Sequence, residues 1–328
     1  MKNRVSLSVC YPFGMERKKM DIVCMGIIVA DVVARPVKKF PEKGKLELTE
    51  EMSLHIGGCA SNTAIDLAKL GISTGIIGKV GNDGFGDFVL KEMHKHGVNI
   101  KGVKRDVKSN TSGTMVFVLP DGERSFIHYF GANSTLSNRD IDYNFIKGAK
   151  IFNLGGFFLL PGLEGRPVAN IFRKVKQMGI TTSLDTAWDS RGRWLKAIKY
   201  AFPYVDLFLP SIAEASMISG EENPDSICQF FLDRGVKVVA LKMGSRGSYL
   251  KTRDMKMFIP PFKVKAIDGT GAGDAFVAGF LAGMVKGFSL EECARFANAV
   301  GALATTKIGA TSGVISMKET LRFMKQDR

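Results

Sequence analysis

The sequence lacks the features that mark secreted, zinc-binding and membrane proteins. Its 328 residues include five cysteines at wide, irregular intervals without a C-x-x-C pair, so we predict neither a disulfide framework nor a zinc site. No segment approaches the roughly 20 apolar residues that a membrane-spanning helix needs. The first residues make a poor signal peptide, because Pro12 and Gly14 interrupt a short apolar stretch. We therefore predict a cytoplasmic location and no membrane partner.

The sequence also lacks a concentrated patch of positive charge. Lys and Arg number 46 against 32 Asp and Glu, a formal net charge of +14, but the basic residues are scattered. This favours attraction of an anionic cosubstrate such as a nucleotide, and we predict no nucleic-acid partner. A dinucleotide-dependent oxidoreductase would need G-x-G-x-x-G after the first strand, and residues 26–29 do not supply it.

What the chain does have is an alternation of strand-like and helix-like runs, which indicates an α/β fold with a mainly parallel sheet. The first buried strand is predicted at residues 21–29, with Asp31 at its carboxyl end, where ligands bind in such sheets. Asp185, Ser211 and Lys242 each follow a predicted strand, so we expect them along one sheet edge. Further strands are predicted near residues 76–80, 111–120, 124–130, 151–154, 181–184, 207–209 and 236–241, and helices near 63–70, 85–96, 164–178, 190–201, 213–219, 225–234, 275–285 and 290–306.

Two segments interrupt this alternation. Residues 32–56 and 111–130 carry short alternating strands with turn residues between them, and we predict that they form a small sheet that acts as a lid. Residues 1–19 are predicted to be a flexible extension, and residues 20–328 a single domain.

The sequence D-G-T-G-A-G-D at residues 268–274 leads directly into a buried helix. Gly271, Ala272 and Gly273 lie where that helix begins, so their backbone N–H groups are free to bind an anion such as phosphate. Asp274 follows at once, where a carboxylate could accept the proton of a hydroxyl that attacks phosphorus. This pattern is typical of a small-molecule kinase, although a plain helix N-terminus with a capping Asp has the same residues.

A second glycine-led helix entrance lies at residues 57–62, G-G-C-A-S-N. Gly58 allows a ligand to approach the backbone, and Asn62 offers both a donor and an acceptor to a polyol hydroxyl. The alternative is a tight turn before a core helix, with Ser61 as its cap.

Together, the two motifs resemble those of the ribokinase-like, or phosphofructokinase-B type, carbohydrate kinases, and the likeness extends over most of residues 20–320. The resemblance implies a ribokinase-like three-layer α/β/α sandwich with a mainly parallel central sheet and a small β-sheet lid. It also implies an ATP- and Mg²⁺-dependent kinase that transfers the γ-phosphoryl group to a hydroxyl of a sugar or polyol.

The resemblance also implies roles for individual residues. Asp274 matches the catalytic base, and residues 271–273 match the anion hole. The implied contacts to substrate hydroxyls are Asp31, Gly58 and Asn62, and the implied nucleotide contacts are Lys242, Gly244, Gly247 and Asn298. Glu214 matches the residue that binds Mg²⁺ through water. Asp268 and Thr270 match the loop that can bind a monovalent cation such as K⁺.

Three positions depart from the family pattern. Ser211 replaces the usual Asn of the magnesium motif, Gly269 replaces Thr or Pro in the cation loop, and Val29 replaces the Asn of ribokinases. A strict ribose specificity is therefore not expected. A nucleoside kinase and a non-catalytic sugar- or nucleotide-sensing relative remain as alternatives, and the intact Asp274 argues against the latter. An exposed lid sheet could pair with a second copy to form a homodimer.

Overall fold

Two β-sheets of different size organise the chain in a computed structural model that describes residues 19–326. Residues 1–18 of the predicted extension lie outside the described residues. Within residues 19–326, no helix is both long and apolar enough to cross a membrane.

The strands alternate with helices along most of the chain. In order, the strands are β1 (Ile22–Gly26), β2 (Val29–Arg35), β3 (Glu51–Gly57), β4 (Thr74–Gly81), β5 (Asn99–Asp106), β6 (Gly113–Val118), β7 (Arg124–Tyr129), β8 (Ile151–Gly155), β9 (Thr181–Leu184), β10 (Leu207–Phe208), β11 (Val238–Lys242), β12 (Ser248–Lys251) and β13 (Lys256–Ile259). The helices are α1 (Cys59–Lys69), α2 (Gly84–Lys95), α3 (Tyr143–Ile146), α4 (Arg166–Gln177), α5 (Trp194–Ile198), α6 (Ile212–Ser219), α7 (Pro224–Leu232), α8 (Ala272–Lys286), α9 (Leu290–Ala304) and α10 (Met317–Gln326).

The large sheet has nine strands in the order β13-β12-β11-β10-β9-β8-β1-β4-β5. It is parallel except at one edge, where β12 and β13 run antiparallel to their neighbours. Apolar residues of α1, α2, α8 and α9 cover one face, and those of α4 to α7 cover the other. The resulting three layers are those expected of a sheet whose two faces are both apolar.

The small sheet has the order β3-β2-β6-β7. Strands β2 and β6 pair in parallel, and β3 and β7 pair antiparallel to them at the two edges. The predicted combination of a mainly parallel large sheet and a separate small sheet is therefore confirmed.

The predicted bounds of the first strand are wrong. The apolar run at residues 21–29 breaks after Gly26, which adopts φ 147°, and the chain then enters β2 of the small sheet. A Cβ atom at Gly26 would overlap the carbonyl oxygen of Gly155 in the neighbouring strand β8. Asp31 consequently lies within β2 and not at the end of β1. Helix α1 also begins earlier than predicted, at Cys59, and the sequence analysis missed β5, β12, β13, α3 and α10.

We expect Gly26→Ala to destabilise the fold by about 3 kcal/mol or more, because it adds a steric overlap to a backbone conformation that almost only glycine adopts. Gly179→Ala is a matched control, since Gly179 has φ 74° but open space around its Cβ position. The control should cost about 1 kcal/mol. Urea denaturation measures both, and equal losses would show that the contact with Gly155 is unimportant.

Candidate active site

The centre of the candidate site is a hydrogen bond between two helices. The side-chain amide of Asn62, in the first turn of α1, donates to Oδ2 of Asp274 in the first turn of α8 over 2.8 Å. Both side chains are nearly buried, and the Thr63 hydroxyl donates to the Asp274 backbone carbonyl at 3.4 Å. The two glycine motifs, 212 residues apart, therefore meet at one point.

The N-terminus of α8 is shaped by a residue that must be glycine. Gly271 is the N-cap, with φ 75°, and a Cβ atom there would overlap the backbone of Ala310. No side chain caps the helix, and among its first N–H groups that of Ala272 donates to the Gly269 carbonyl at 3.3 Å. Gly273 adds space on the other side, because its Cβ position would lie 3.4 Å from Lys242 Nζ. Together the helix dipole and the charge of Lys242 favour an anion at this point.

Lys242, the last residue of β11, lies among three carboxylates. Its Nζ donates to Asp185 Oδ1 at 2.7 Å, and Glu214 and Asp274 also act on it electrostatically. Burial would lower the pKa of Lys242, but these carboxylates raise it above its usual value. The predicted meeting of Asp185 and Lys242 at one sheet edge is thus confirmed, and Ser211 forms a bridge to Lys242 at the same edge.

Two of the carboxyl groups around Lys242, those of Asp185 and Asp274, have raised pKa values. Burial raises the pKa of Asp185 to about 7, against the opposing charge of Lys242. Burial likewise raises the pKa of Asp274, although the hydrogen bond from Asn62 and the charge of Lys242 lower it. Glu214 Oε2 accepts from Thr186 Oγ1 at 2.9 Å and from the Ser211 backbone, so Ser211 and Glu214 cap the start of α6 together.

A cavity of about 360 Å³ lies between the small sheet and the start of α8. Asp31, Gly58, Asn62 and Asp274 line it. Burial raises the pKa of Asp31 to about 6, while a hydrogen bond from Thr114 lowers it. A Cβ atom at Gly57 would overlap the Asp31 carboxylate, so the first glycine of the pair makes room for that side chain.

The small sheet is tied to the loop before α8. Arg124, at the start of β7, contacts Thr270 Oγ1 and donates to Asp268 Oδ1 over 2.6 Å. Asp268 also accepts from the backbone of Thr270 and from Gly309 N–H at 2.9 Å. Burial would raise the pKa of Asp268, but these hydrogen bonds and the charge of Arg124 lower it below its usual value.

The residues assigned to the nucleotide fall into two groups. Gly244 has φ 60° and open space around it, next to Lys242. Gly247 and Asn298 instead hold the end of β13: a Cβ at Gly247 would overlap the Ile259 carbonyl, and the Asn298 amide nitrogen donates to Ile259 O at 3.1 Å and to Pro260 O at 2.9 Å. The contacts of Gly247 and Asn298 are therefore with the backbone at the end of β13.

Sequence reasoning missed several residues of this site. Cys59, Thr114, Arg124 and His128 all line the cavity, and only Cys59 belongs to a motif noted above. The other three alternate along β6 and β7 with residues of the opposite face. That alternation is visible in the sequence, but which face meets the cavity is not.

A three-layer sandwich with a small separate sheet, and a carboxylate beside a glycine-led helix N-terminus, define a ribokinase-like phosphotransferase. The chain belongs to the pfkB family of carbohydrate kinases, because residues 19–317 match that family. A 2-dehydro-3-deoxygluconokinase from Bacillus subtilis is 29% identical over 322 residues, which cover 94% of this chain and 97% of the relative.

Solved structures agree in fold. A protein assigned as ribokinase II from E. coli, solved with ATP and Mg²⁺, matches with a TM-score of 0.83 and 26% identity, covering 94% of this chain and 99% of that one. An Arabidopsis thaliana ribokinase solved with ribose and ATP matches with a TM-score of 0.80, 26% identity and the same coverage.

We expect kcat/KM for the sugar to rise between pH 5 and pH 7 with a midpoint near 6, because the ionised Asp31 carboxylate accepts a hydrogen bond from a substrate hydroxyl more strongly than the neutral carboxyl group does. The pKa of Asp31 is raised, so the loss on acidification begins at a higher pH than for an ordinary carboxyl group. Steady-state rates across this range test the expectation. Asp31→Asn should lower kcat/KM and remove the component near pH 6; a variant profile of unchanged shape would contradict it.

Proposed function

We propose that the protein transfers the γ-phosphoryl group of ATP to a hydroxyl of a sugar or sugar-like polyol. Asp274 is the base, and the backbone of residues 271–273 is the anion hole. The observation that carries this proposal is the Asn62–Asp274 hydrogen bond, which holds a carboxylate between the cavity and the N-terminus of α8.

Asp274 acts chiefly by position. Phosphoryl transfer passes through a loose transition state in which the attacking hydroxyl must be aligned with the phosphorus. Asn62 fixes one carboxylate oxygen, and the carboxylate retains acceptor positions for that hydroxyl. Burial raises the pKa of Asp274 above its ordinary value, which makes it a stronger base than an exposed aspartate.

The N-terminus of α8 and Lys242 supply positive potential where the transferred group gains negative charge. Each well-aimed backbone donor is worth about 3 kcal/mol of transition-state stabilisation. Lys242 stays charged because Asp185 and Glu214 raise its pKa. These donors are fixed in place by the fold, so they need little reorganisation during the reaction.

The residues around Lys242 fit a magnesium ion that is bound mainly through phosphates and water. Among residues 19–326 there is no group of three or more His, Cys, Asp or Glu side chains that could hold a metal alone. Mg²⁺ in phosphoryl-transfer sites typically uses one or two carboxylates together with substrate phosphates. Glu214, through water, and Asp185 would hold it, and the ion would neutralise phosphate charge.

A monovalent cation at Asp268 and Thr270 remains a prediction. Arg124 already supplies a positive charge to both side chains, so K⁺ would compete with the guanidinium group for the same oxygens. Closure of the small sheet over the cavity would exclude water and suppress ATP hydrolysis without substrate. The cytoplasmic location and the absence of nucleic-acid or membrane partners also remain predictions.

A nucleoside is the second candidate substrate class. Phe126 lines the cavity with 60% of its surface exposed, and a planar base could stack on it. The same exposed ring would also pack against the apolar face of a sugar. An assay of phosphorylation with both sugars and nucleosides distinguishes these two substrate classes.

We expect the protein to release ADP from MgATP with at least one member of a panel of sugars, sugar acids, inositols and nucleosides, assayed with and without K⁺. Asp274→Asn should reduce turnover at least about a hundredfold and leave the Kd for ATP nearly unchanged. Asp66→Asn is a matched control, because Asp66 is another buried aspartate of the same helix pair and does not line the cavity. An Asp274→Asn variant that retains most of its activity would remove Asp274 from the mechanism.

We also propose that the protein is a homodimer through the outer face of the small sheet. That face carries Met52, Met115, Ile127 and Tyr129, each more than half exposed. It is uncharged on a chain of net charge +14, so two copies can meet there without repulsion.

Light scattering should give about twice the chain mass of 35.8 kDa, and Ile127→Glu should give the monomer mass. Met217→Glu, on the exposed surface of α6, is the control and should stay dimeric. A monomeric wild-type protein would contradict the proposal.

A further inference from the structure

The charged side chains that line the cavity differ in whether they have a partner of opposite charge. Among residues 19–326, the lining includes two arginines, Arg35 and Arg124, and no lysine. Three aspartates line the cavity as well, namely Asp31, Asp268 and Asp274. Because these residues surround the space in which a sugar would bind, their pairing decides which charge a substrate meets there.

Both arginines are already paired with carboxylates of the protein. Arg35 in β2 is the register partner of Glu51 in β3, and its Nε and Nη2 atoms donate to Glu51 Oε2 over 2.9 and 2.6 Å. Arg124 Nη1 donates to Asp268 Oδ1 over 2.6 Å and also contacts Thr270 Oγ1. A carboxylate of a substrate would therefore have to displace an acid of the protein before it could bind either guanidinium group.

The two histidines of the lining are bonded to neutral groups. His55 Nε2 lies 2.8 Å from the Ser53 hydroxyl, and His128 Nδ1 lies 3.1 Å from the Thr114 hydroxyl. Burial lowers the pKa of His128, which favours its neutral ring at neutral pH. In the part of the chain that the structure describes, neither ring is held in its charged form by a hydrogen bond to a carboxylate.

Two of the aspartates have no cation of their own. Within the described residues, neither Asp31 nor Asp274 forms an ion pair, and Lys242, whose charge acts on Asp274, pairs with Asp185 at 2.7 Å. Burial raises the pKa of Asp31 to about 6, and the charge of Asp274 contributes to this increase. The two carboxylates therefore act on the same space, and above pH 6 the cavity presents negative charge that is not paired.

We propose that the cavity takes an uncharged polyhydroxylated substrate and excludes sugar acids and sugar phosphates. Hydroxyl groups of a neutral sugar can donate to the Asp31 and Asp274 carboxylates, whereas a substrate anion would be repelled by them. Among the described lining residues, both arginines that could hold such an anion are already occupied. The inference rests on the proposed function, because it takes this cavity to be the sugar site.

Pairs of sugars that differ only in the charge at one carbon test the proposal. D-fructose and 2-dehydro-D-gluconate differ at the first carbon, and D-glucose and D-glucuronate, like D-galactose and D-galacturonate, differ at the sixth: a hydroxymethyl group replaces a carboxylate. Calorimetry at pH 8, with the wild-type protein and the Mg²⁺ complex of a non-hydrolysable ATP analogue, measures each Kd. In at least one pair the neutral sugar should bind, with a Kd at least about tenfold below that of its acid.

Glu51→Gln tests whether the pairing of Arg35 causes the exclusion. The variant leaves Arg35 in the cavity lining without its acid, so the acid of each pair should gain about fivefold in affinity, and the neutral partner should stay within about twofold. Glu47→Gln is the matched control, because Glu47 pairs with Lys39 at 2.9 Å and neither residue lines the cavity. The control should leave both Kd values of each pair unchanged.

Tighter binding of an acid than of its neutral partner would overturn the proposal, and so would a failure of all three neutral sugars to bind. Equal affinity of the wild-type protein and Glu51→Gln for the acids would also overturn it, because the pairing of Arg35 would then not be the cause of the exclusion. The proposed function fails separately, if a neutral sugar binds as expected but no sugar is phosphorylated with MgATP.

Discussion

The hydrogen bond between Asn62 and Asp274 is the interaction on which the rest of the site depends. A buried carboxylate needs a donor, and here the donor comes from the first turn of a different helix. For the two first turns to meet, α1 and α8 must begin at the same sheet edge, and each entrance needs a backbone conformation that favours glycine. Gly58 and Gly271 provide it, with φ 96° and 75°. The two glycine motifs are therefore parts of one structural requirement.

The charged residues around Lys242 lie next to this pair of helix entrances, where the phosphates of a nucleotide would bind. Asp185, Glu214 and Asp274 surround Lys242, and burial raises the pKa of both Asp185 and Asp274. Such a cluster places three carboxyl groups around one lysine before any ligand is bound. A metal ion that arrives with ATP would correct this imbalance, whereas phosphate alone would face three carboxylates. The overall charge of +14 acts at longer range and would attract an anionic cosubstrate such as a nucleotide.

Much of the fold and of the candidate site could be predicted from local sequence, and the predictions that failed did so for a common physical reason. Glycines at a helix entrance act within a few residues, so the α8 N-terminus and the positions of Asn62 and Asp274 were recognisable. The apolar run at residues 21–29 looks the same whether it forms one strand or two. The break at Gly26 depends on contact with Gly155 and was therefore not recognisable from the sequence. The alignment of His55, Asp31, Thr114 and His128 across the small sheet depends on the register of four strands, which no single segment specifies.

The small sheet combines two tasks that a sugar kinase could have kept apart. Arg124 ties the sheet to Asp268 in the loop before α8, and His128, four residues further along the same strand, faces the cavity. Since both side chains project from the inner face of β7, a movement of the sheet shifts the two contacts together. The ion pair between Arg124 and Asp268 therefore also fixes how far the cavity-lining face of β7 lies from the start of α8.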